Sequence, residues 1–598
     1  MANHLFSSLN PQQQKAVIFG NGPLLVLAGA GSGKTRVLTH RVAYLVGEKK
    51  VNPQNILCIT FTNKAAEEMR ERLQKLLPNQ SLPFTGTFHA FCVSVLRREA
   101  EAIGLSPHFV IWDETDQLAA IRKILKEKGQ DYQPSSILAT ISQAKNELIS
   151  AFEYPQYARN SFQELAAEFY LSYQKELKLA QALDFDDLLL ETVRLFQNHP
   201  EILGKYQERY QYIFVDEYQD TNAAQYFLTK ALASRHQNLF VVGDMSQSIY
   251  SWRGADYRNV LRLKDDFPNL TVINLEQNYR STQNILDAAY GIISQNHSHP
   301  VLHLWTQKKK GEKINLYNGD TEEDEAHFVA EKILELTTSG YQNNQIAVLY
   351  RTNAQSRILE EVLLHYNINY KLIGGVRFYE RREIKDILAF LRALVNPEDS
   401  LSWQRIEKIG KRIKRKWEKV IQEDNPSQNL ESAKLVKLAL EKSGYLEKLN
   451  PEKEEDLSRI ENLKELISVA QSFPNIDDFL ANIALMEEEY FPQGKFENQS
   501  NQNPAVNLMT LHRAKGTEFP IVFITGLEEG LLPHYRAISD PQELEEERRL
   551  CYVGLTRAQE KLFLTLASRR LLFGKKSSNP PSRFLSNIPE NLINLVNY

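Results

Sequence analysis

Short apolar runs rich in β-branched residues recur along this chain, each followed by a polar turn and then by a stretch with apolar positions at helical spacing. In the first half the runs are PLLVLAG (23–29), NILCITF (55–61), YIFVDE (212–217), NLFVVGD (238–244) and TVINLEQ (271–277). The second half repeats the pattern with INLYNG, QIAVLYR, YKLIGG, VNLMTLH, PIVFITG and LFLTLA. Near-continuous hydrophobicity, in place of alternation, marks strands buried on both faces of a parallel sheet. The two series therefore predict an α/β protein with two doubly wound parallel-sheet cores. Each series is broken by a long stretch rich in Leu, Ala, Glu, Lys and Gln at helical spacing, near 92–205 and near 380–504, too long to be a loop. PQGKFENQSNQNP (492–504) is polar and apolar-poor, and reads as a mobile connection back to the second core.

The 598 residues suggest roughly four domains at about 150 residues each. With 42% hydrophobic and 24% charged residues the composition is that of a globular protein. The net charge of −4 does not point to nucleic acid, so any such function has to rest on local features. Cys58, Cys92 and Cys551 lie in apolar stretches without metal or disulfide spacing, and read as buried reduced thiols. The N-terminus lacks a basic segment followed by an apolar run, and no run of about 18 apolar residues occurs, so neither export nor a membrane span is expected.

The chemistry begins at Ala28-Gly29-Ala30-Gly31-Ser32-Gly33-Lys34-Thr35, followed by Arg36, between a predicted strand and a predicted helix. Glycines there let backbone N–H groups curl around phosphates, and the helix N-terminus adds a favourable dipole. Lys34 is placed to reach the β- and γ-phosphates of ATP and Thr35 to hold Mg²⁺. Ala28 stands where the strict pattern has glycine, a small residue that should fit. A second strand ends in Asp216-Glu217, which suits a Mg²⁺ ligand followed by a base for the attacking water. A third delivers Asp244 and then Gln247, read either as a γ-phosphate sensor or as a loop hydrogen bond.

In order along the chain stand LNPQQQKAV, AGAGSGKTR, FTNKAAEEM, GTFHAF, DFDDLL, FVDEYQDTN, VVGDMSQSIYSWRGAD, LEQNYRST, LYRTNAQSR, GGVRFYERREIKDILAFL, VNLMTLHRAKGTEFP and EEERRLCYVGLTRA. This series resembles the UvrD/Rep/PcrA family of superfamily 1 DNA helicases. The resemblance implies two RecA-like cores with ATP in the cleft between them, each carrying a helical insert. The corresponding division here is 1–91 with 206–276 for the first core, 92–205 for its insert, 277–380 with 505–598 for the second core, and 381–504 for a shortened second insert. It also implies that Gln13 reads the adenine, Tyr279 stacks on it, Glu518 contacts the sugar, and Arg280 and Arg557 reach the γ-phosphate. Translocation from 3′ to 5′ on single-stranded DNA, action at single-strand/duplex junctions, repair or replication proteins as partners, a cytoplasmic, nucleoid-associated location and a monomer or weak dimer follow from the family alone.

By the same resemblance Phe61, Phe185, Tyr250 and Trp252, with Arg253, line the single-strand groove, where stacking tolerates any base. The alternative for each ring is core packing. Asn63, Thr87, His89, Thr510 and His512 read as phosphate or sugar contacts, with capping or turn roles as the alternative. The pattern departs from the family between ALVNPED and AKGTEFP, where only about 110 residues stand and the usual Gly-Ile-Gly turn is missing. In its place WQRIEKIGKRIKRKWEK (403–419) carries eight basic residues against two acidic, either a reduced duplex-binding element or a solvated helix face. Thr517 stands where Leu is common and Arg513 where a small residue is usual. With about forty residues after Arg557, a fused nuclease domain is not expected. Three activities remain to be separated: a helicase, a translocase that displaces bound proteins with weak unwinding, and an ATP-gated DNA-binding module without turnover.

Overall fold

The computed structural model describes residues 6–424, 430–490, 504–572 and 575–596; the side chains of Arg253 and of residues 423–424, 484–490, 572 and 575–576 are outside the description. All but the last residue of the polar stretch 492–504 lies outside the described residues. The chain divides into two compact units, Met1–Tyr279 with His297–Gln307, and Arg280–Asn296 with Lys308–Tyr598.

The first unit is built on β1 (Leu24–Ala28), β2 (Ile56–Thr60), β3 (Phe84–Thr87), β4 (Tyr212–Val215), β5 (Leu239–Gly243) and β6 (Thr271–Leu275). They form one parallel sheet in the order β3-β2-β4-β5-β1-β6. Neighbouring residues on one strand feed opposite cores. Leu25, Leu57, Ile59 and Val241 pack with Phe91, Leu188 and Leu228, whereas Leu24, Val26, Cys58 and Val242 pack with Val37, Leu38 and Met69. Helices cover both faces, which is why the strands read as unbroken apolar runs. Each such buried aliphatic side chain contributes about 1.5–3 kcal/mol. Because every strand is parallel, the residues after β1, β2, β3, β4 and β5 all emerge at one edge of the sheet, where α/β proteins bind ligands.

The first insert has its own core, gathering Ile121, Ile141, Phe169, Tyr170 and Tyr173. The sequence boundaries at 92 and 205 fall inside helices Phe88–Arg98 and Pro200–Arg209, and Cys92 and Tyr206 on them belong to the core beneath the sheet. Residues 297–307 also return to the first unit, where Trp305–Thr306 pairs with Gln277–Asn278.

The second unit carries β7 (Ile314–Gly319), β8 (Ile346–Tyr350), β9 (Tyr370–Leu372), β10 (Val506–Thr510), β11 (Phe519–Ile524), β12 (Ala558–Ala567) and β13 (Ile593–Val596). These run parallel in the order β9-β10-β8-β11-β12-β7-β13. Its insert is helical throughout its described residues, from Arg382–Val395 to Ile476–Tyr490. The basic stretch 403–419 folds as helices Ser400–Ile409 and Lys411–Asp424 joined at Gly410. Ile406, Ile413 and Trp417 point into the core, and the Trp417 indole N–H donates to the Phe390 carbonyl at 3.1 Å. Lys408, Lys411, Arg412, Arg415 and Lys419 are exposed. All three cysteines are buried and free, and burial pushes the Cys92 and Cys551 thiols up to about 12. No described helix is long and apolar enough to cross a membrane.

Candidate nucleotide site and strand-facing aromatics

β1 ends at Ala28, and the helix Lys34–Gly47 starts six residues later, capped by Gly33, whose φ of 87° is open to glycine without strain. Three successive carbonyls of the intervening turn are held from outside. The Asn278 amide donates to Ala30 O at 2.7 Å, the Tyr279 N–H to Gly31 O at 3.0 Å and the Gln13 amide to Ser32 O at 2.9 Å. In a trans peptide the N–H points opposite to the C=O, so pinning the Ala30 and Ser32 carbonyls turns the Gly31 and Gly33 N–H groups away from those donors, while the Ser32 N–H closes on the Gly29 carbonyl at 3.3 Å. A Cβ at Gly33 would sit 2.9 Å from the Gln13 amide nitrogen. Gln13 is fully buried and also accepts from the Asn10 N–H, while Asn10 donates to the Tyr279 hydroxyl at 2.9 Å. The expected adenine residues thus brace the phosphate loop. Asn10 and Asn278 were not singled out by sequence, since short polar side chains between apolar runs carry no signal of their own. Arg36 is half-buried on the first helical turn.

The Thr35 hydroxyl donates to the Asp216 carboxylate at 2.9 Å, although 181 positions separate the two. Paired oxygen ligands at the phosphate loop suit Mg²⁺, which takes one or two protein ligands and completes its shell with phosphate and water oxygens. Burial and the Glu217 charge push the Asp216 carboxyl up to about 6, against its bonds from Thr35 and the Lys34 charge. Glu217 has φ 50°, a left-handed conformation that costs roughly 1–3 kcal/mol for such a residue and is concentrated at functional sites. Asp216 is raised above its unfolded value, so its contribution to stability is complete below about pH 4 and is lost as pH rises through about 6. Asp216→Asn is therefore expected to abolish Mg²⁺-dependent hydrolysis, and yet to gain thermal stability over the parent between pH 5 and pH 8 when nucleotide is absent. Thermal unfolding at the two pH values checks this; a gain that fails to grow with pH would contradict it.

Gln247 is buried and its amide donates to Asp244 at 2.6 Å, so the loop hydrogen bond is present. The Lys34 amine lies 3.4 Å from the Ala28 carbonyl. In the second unit Arg280 donates from Nε to Glu518 at 2.6 Å and from Nη1 to the Thr556 carbonyl at 3.2 Å. Arg557 is 2% exposed and donates to the carbonyls of Val553 and Thr517 at 3.0 and 3.2 Å.

At the same edge of the first sheet, Phe61 and Tyr250 stack at 5.9 Å with 10° between planes, and Trp252 meets Tyr250 edge-on at 6.4 Å. Trp252 and Phe185 are about half exposed, 49% and 50%, which is not core packing. The DFDDLL acids serve to place Phe185: Asp184 caps the helix Phe185–Asn198 in a box with Asp187, and buried Lys145 bridges both at 2.6 and 2.8 Å. Asn146 accepts from Asn222 at 2.6 Å and donates to Asp186 at 3.2 Å, joining this segment to the turn after Asp216. His89 packs its edge on Phe185 at 5.9 Å, and burial lowers its pKa, favouring the neutral ring. Thr87 is the cap of the helix Phe88–Arg98, accepting from the Ala90 N–H at 3.2 Å. Asn63 is exposed, since Thr62 takes the capping position. In the second unit Thr510 closes β10 and its carbonyl accepts from the Arg513 and Ala514 N–H groups, with His512 half-buried in that turn. The Arg253 side chain lies outside the described residues.

Known proteins match this chain along almost its whole length. Residues 9–268 match the UvrD/REP helicase N-terminal domain, and residues 273–431 and 414–569 match the UvrD-like helicase C-terminal domain. The ATP-dependent DNA helicase PcrA of Bacillus subtilis is 46% identical, covering 100% of this chain and 88% of that protein. The PcrA proteins of Staphylococcus epidermidis and Staphylococcus aureus are each 44% identical over 99% of the chain. With two parallel RecA-like sheets and matches along almost its whole length, the chain belongs to the UvrD/REP helicase family.

Proposed function

We propose that this chain is an ATP-dependent DNA helicase that moves 3′ to 5′ along single-stranded DNA and separates duplex ahead of it, in repair or replication. The observation that carries the reading is the phosphate loop with its carbonyls pinned outward, beside the Thr35–Asp216 pair and the strained Glu217. On this reading the loop amides and Lys34 hold the β- and γ-phosphates of ATP, Glu217 takes the proton of the attacking water, and Gln247 senses the γ-phosphate. Mg²⁺ held by Thr35 and Asp216 would neutralise charge on the phosphate oxygens. Gln13, Tyr279 and Glu518 serve the nucleoside, and Arg280 and Arg557 stabilise charge on the transferring phosphoryl group.

The rings of Phe61, Phe185, Tyr250 and Trp252 form the stacking surface for bases, with Asn63, Arg253, Thr510 and His512 toward the backbone. His89 and Thr87 contribute by fixing Phe185 and the helix behind it. The exposed cations of the Ser400–Asp424 hairpin are the part assigned to duplex at a junction, through phosphate contacts that weaken with salt. We place the protein on chromosomal DNA in the cytoplasm, as a monomer or weak dimer.

The test measures ATP hydrolysis with and without single-stranded DNA, then unwinding of duplexes with a 3′ or a 5′ tail. Stimulated hydrolysis and unwinding from the 3′ tail alone are expected. Stimulation without unwinding would leave a translocase, and no stimulation would reject both motor readings. Trp252→Ala is expected to weaken single-strand binding about ten-fold, since stacking is worth roughly 1–3 kcal/mol per base, and to raise the DNA concentration for half-maximal stimulation in step. Fluorescence anisotropy on a labelled oligonucleotide reads the first effect and phosphate release the second.

A further inference from the structure

We propose that Gln219 is a positioning residue for ATP hydrolysis, its amide holding the Glu217 carboxylate in place and tying it to the loop that carries Gln247. Gln219 is completely buried in the turn after β4. Its Oε1 accepts the Asp244 N–H at 2.9 Å, which leaves the amide one orientation. The NH₂ group then faces carboxylates, donating to Glu217 at 2.6 Å and to Asp220 at 3.3 Å. The Gln219 carbonyl accepts from the Ser248 hydroxyl at 3.3 Å, so side chain and backbone are both tied to the segment after β5. Glycine at 243 leaves this contact undisturbed, because a Cβ there would lie 2.8 Å from Gln219 Oε1 and the amide would have to shift.

The connection continues to the residue assigned to the γ-phosphate. Asp244 accepts the Gln247 amide at 2.6 Å through its carboxylate and donates to Gln219 through its backbone. A displacement of the Gln247 turn therefore moves the amide that grips Glu217. The short bond from a fixed donor favours one rotamer of the Glu217 side chain on its left-handed backbone. Gln219 touches neither phosphate nor water on this account and acts only through Glu217.

The inference rests on reading Glu217 as the base, and single-turnover hydrolysis with single-stranded DNA separates the two. Gln219→Glu keeps the acceptor for the Asp244 N–H and replaces the donor to Glu217 by a like charge. It is expected to lower the hydrolysis rate about 10²-fold, the scale of a misplaced reacting group, with the KM for ATP and binding of a fluorescent ADP analogue within two-fold of the parent. Gln219→Met, close in size and without donors, should lose a similar factor. In a Glu217→Gln background neither change should cost anything more, because the group they act through is gone. Should Gln219→Glu fail to fold, Gly243→Ala carries the same test by pushing the amide off Glu217. A parent-like rate in Gln219→Glu, or losses that multiply with Glu217→Gln, would overturn the inference alone. A parent-like rate in Glu217→Gln would overturn the base assignment and the inference with it.

Discussion

Lys34→Ala is expected to lower DNA-stimulated turnover by about 10³-fold while single-strand binding in the absence of nucleotide stays within about two-fold. Removing one preorganised donor from a developing oxyanion typically costs about 10²–10³ in rate, and Lys34 contributes a full charge as well. Its charge also acts on the site before any nucleotide arrives, because it lowers the pKa of both Asp216 and Asp244, which burial raises. On the proposed reading the alanine variant loses a phosphate ligand and at the same time a charge that favours the ionised form of the Asp216 carboxylate. The rings of Phe61, Tyr250 and Trp252 pack on one another. Phosphate release with and without oligonucleotide, beside anisotropy on a labelled strand, measures the two properties. Turnover near the parent rate would remove the phosphate loop from the mechanism.

Arg280→Ala is expected to cost about 10³-fold or more in turnover, the scale of a lost arginine finger, with a smaller loss of thermal stability than Arg557→Ala. Arg280 is paired to Glu518, whose side chain is 50% exposed, so the pair itself adds little to stability. Arg280→Lys should fail to restore activity, because a point charge does not replace a planar fork that donates from several nitrogens. Arg557→Ala is expected to differ in one respect. Arg557 is 2% exposed, so its truncation empties a packed site and removes the donor to the Thr517 carbonyl, at about 1–3 kcal/mol, while the Val553 carbonyl keeps its bond from the Thr556 hydroxyl. That variant should lose more stability than Arg280→Ala, whose side chain is less buried and whose truncation removes the donor to the Thr556 carbonyl. Thermal unfolding beside single-turnover hydrolysis separates them, and a parent-like rate for Arg280→Ala would end its assignment to the phosphoryl group.

The strands of both cores were legible wherever burial on two faces produced an apolar run, and β3 and β13 were not. β3 is FTGT and β13 is INLV, both at sheet edges, where a short segment needs little hydrophobicity because one neighbour supplies its pairing. The insert boundaries were blurred for a related reason. Helices Phe88–Arg98 and Phe185–Asn198 look like insert from their spacing, yet their apolar faces belong to the core under the first sheet. Among site residues, Thr87 shows the limit of residue type: a threonine before a helix suits a cap or a phosphate contact equally, and its bond to the Ala90 N–H identifies the cap.

By itself the amino-acid sequence determined the number and kind of cores, the phosphate loop and the strand tips bearing Asp216, Glu217 and Asp244. Those are local properties, set by periodicities of a few residues and by glycine where the backbone turns. Only the tertiary structure decided what surrounds them. The order β3-β2-β4-β5-β1-β6 brings Asn278 to Ala30 across 248 positions, Asn222 to Asn146 across 76 and Asp244 to Gln219 across 25. A hydrogen bond depends on the distance and direction between two groups, and at such separations strand order and helix packing determine both. The phosphate loop could be read from eight residues; the bonds that hold it open and aim Glu217 could not.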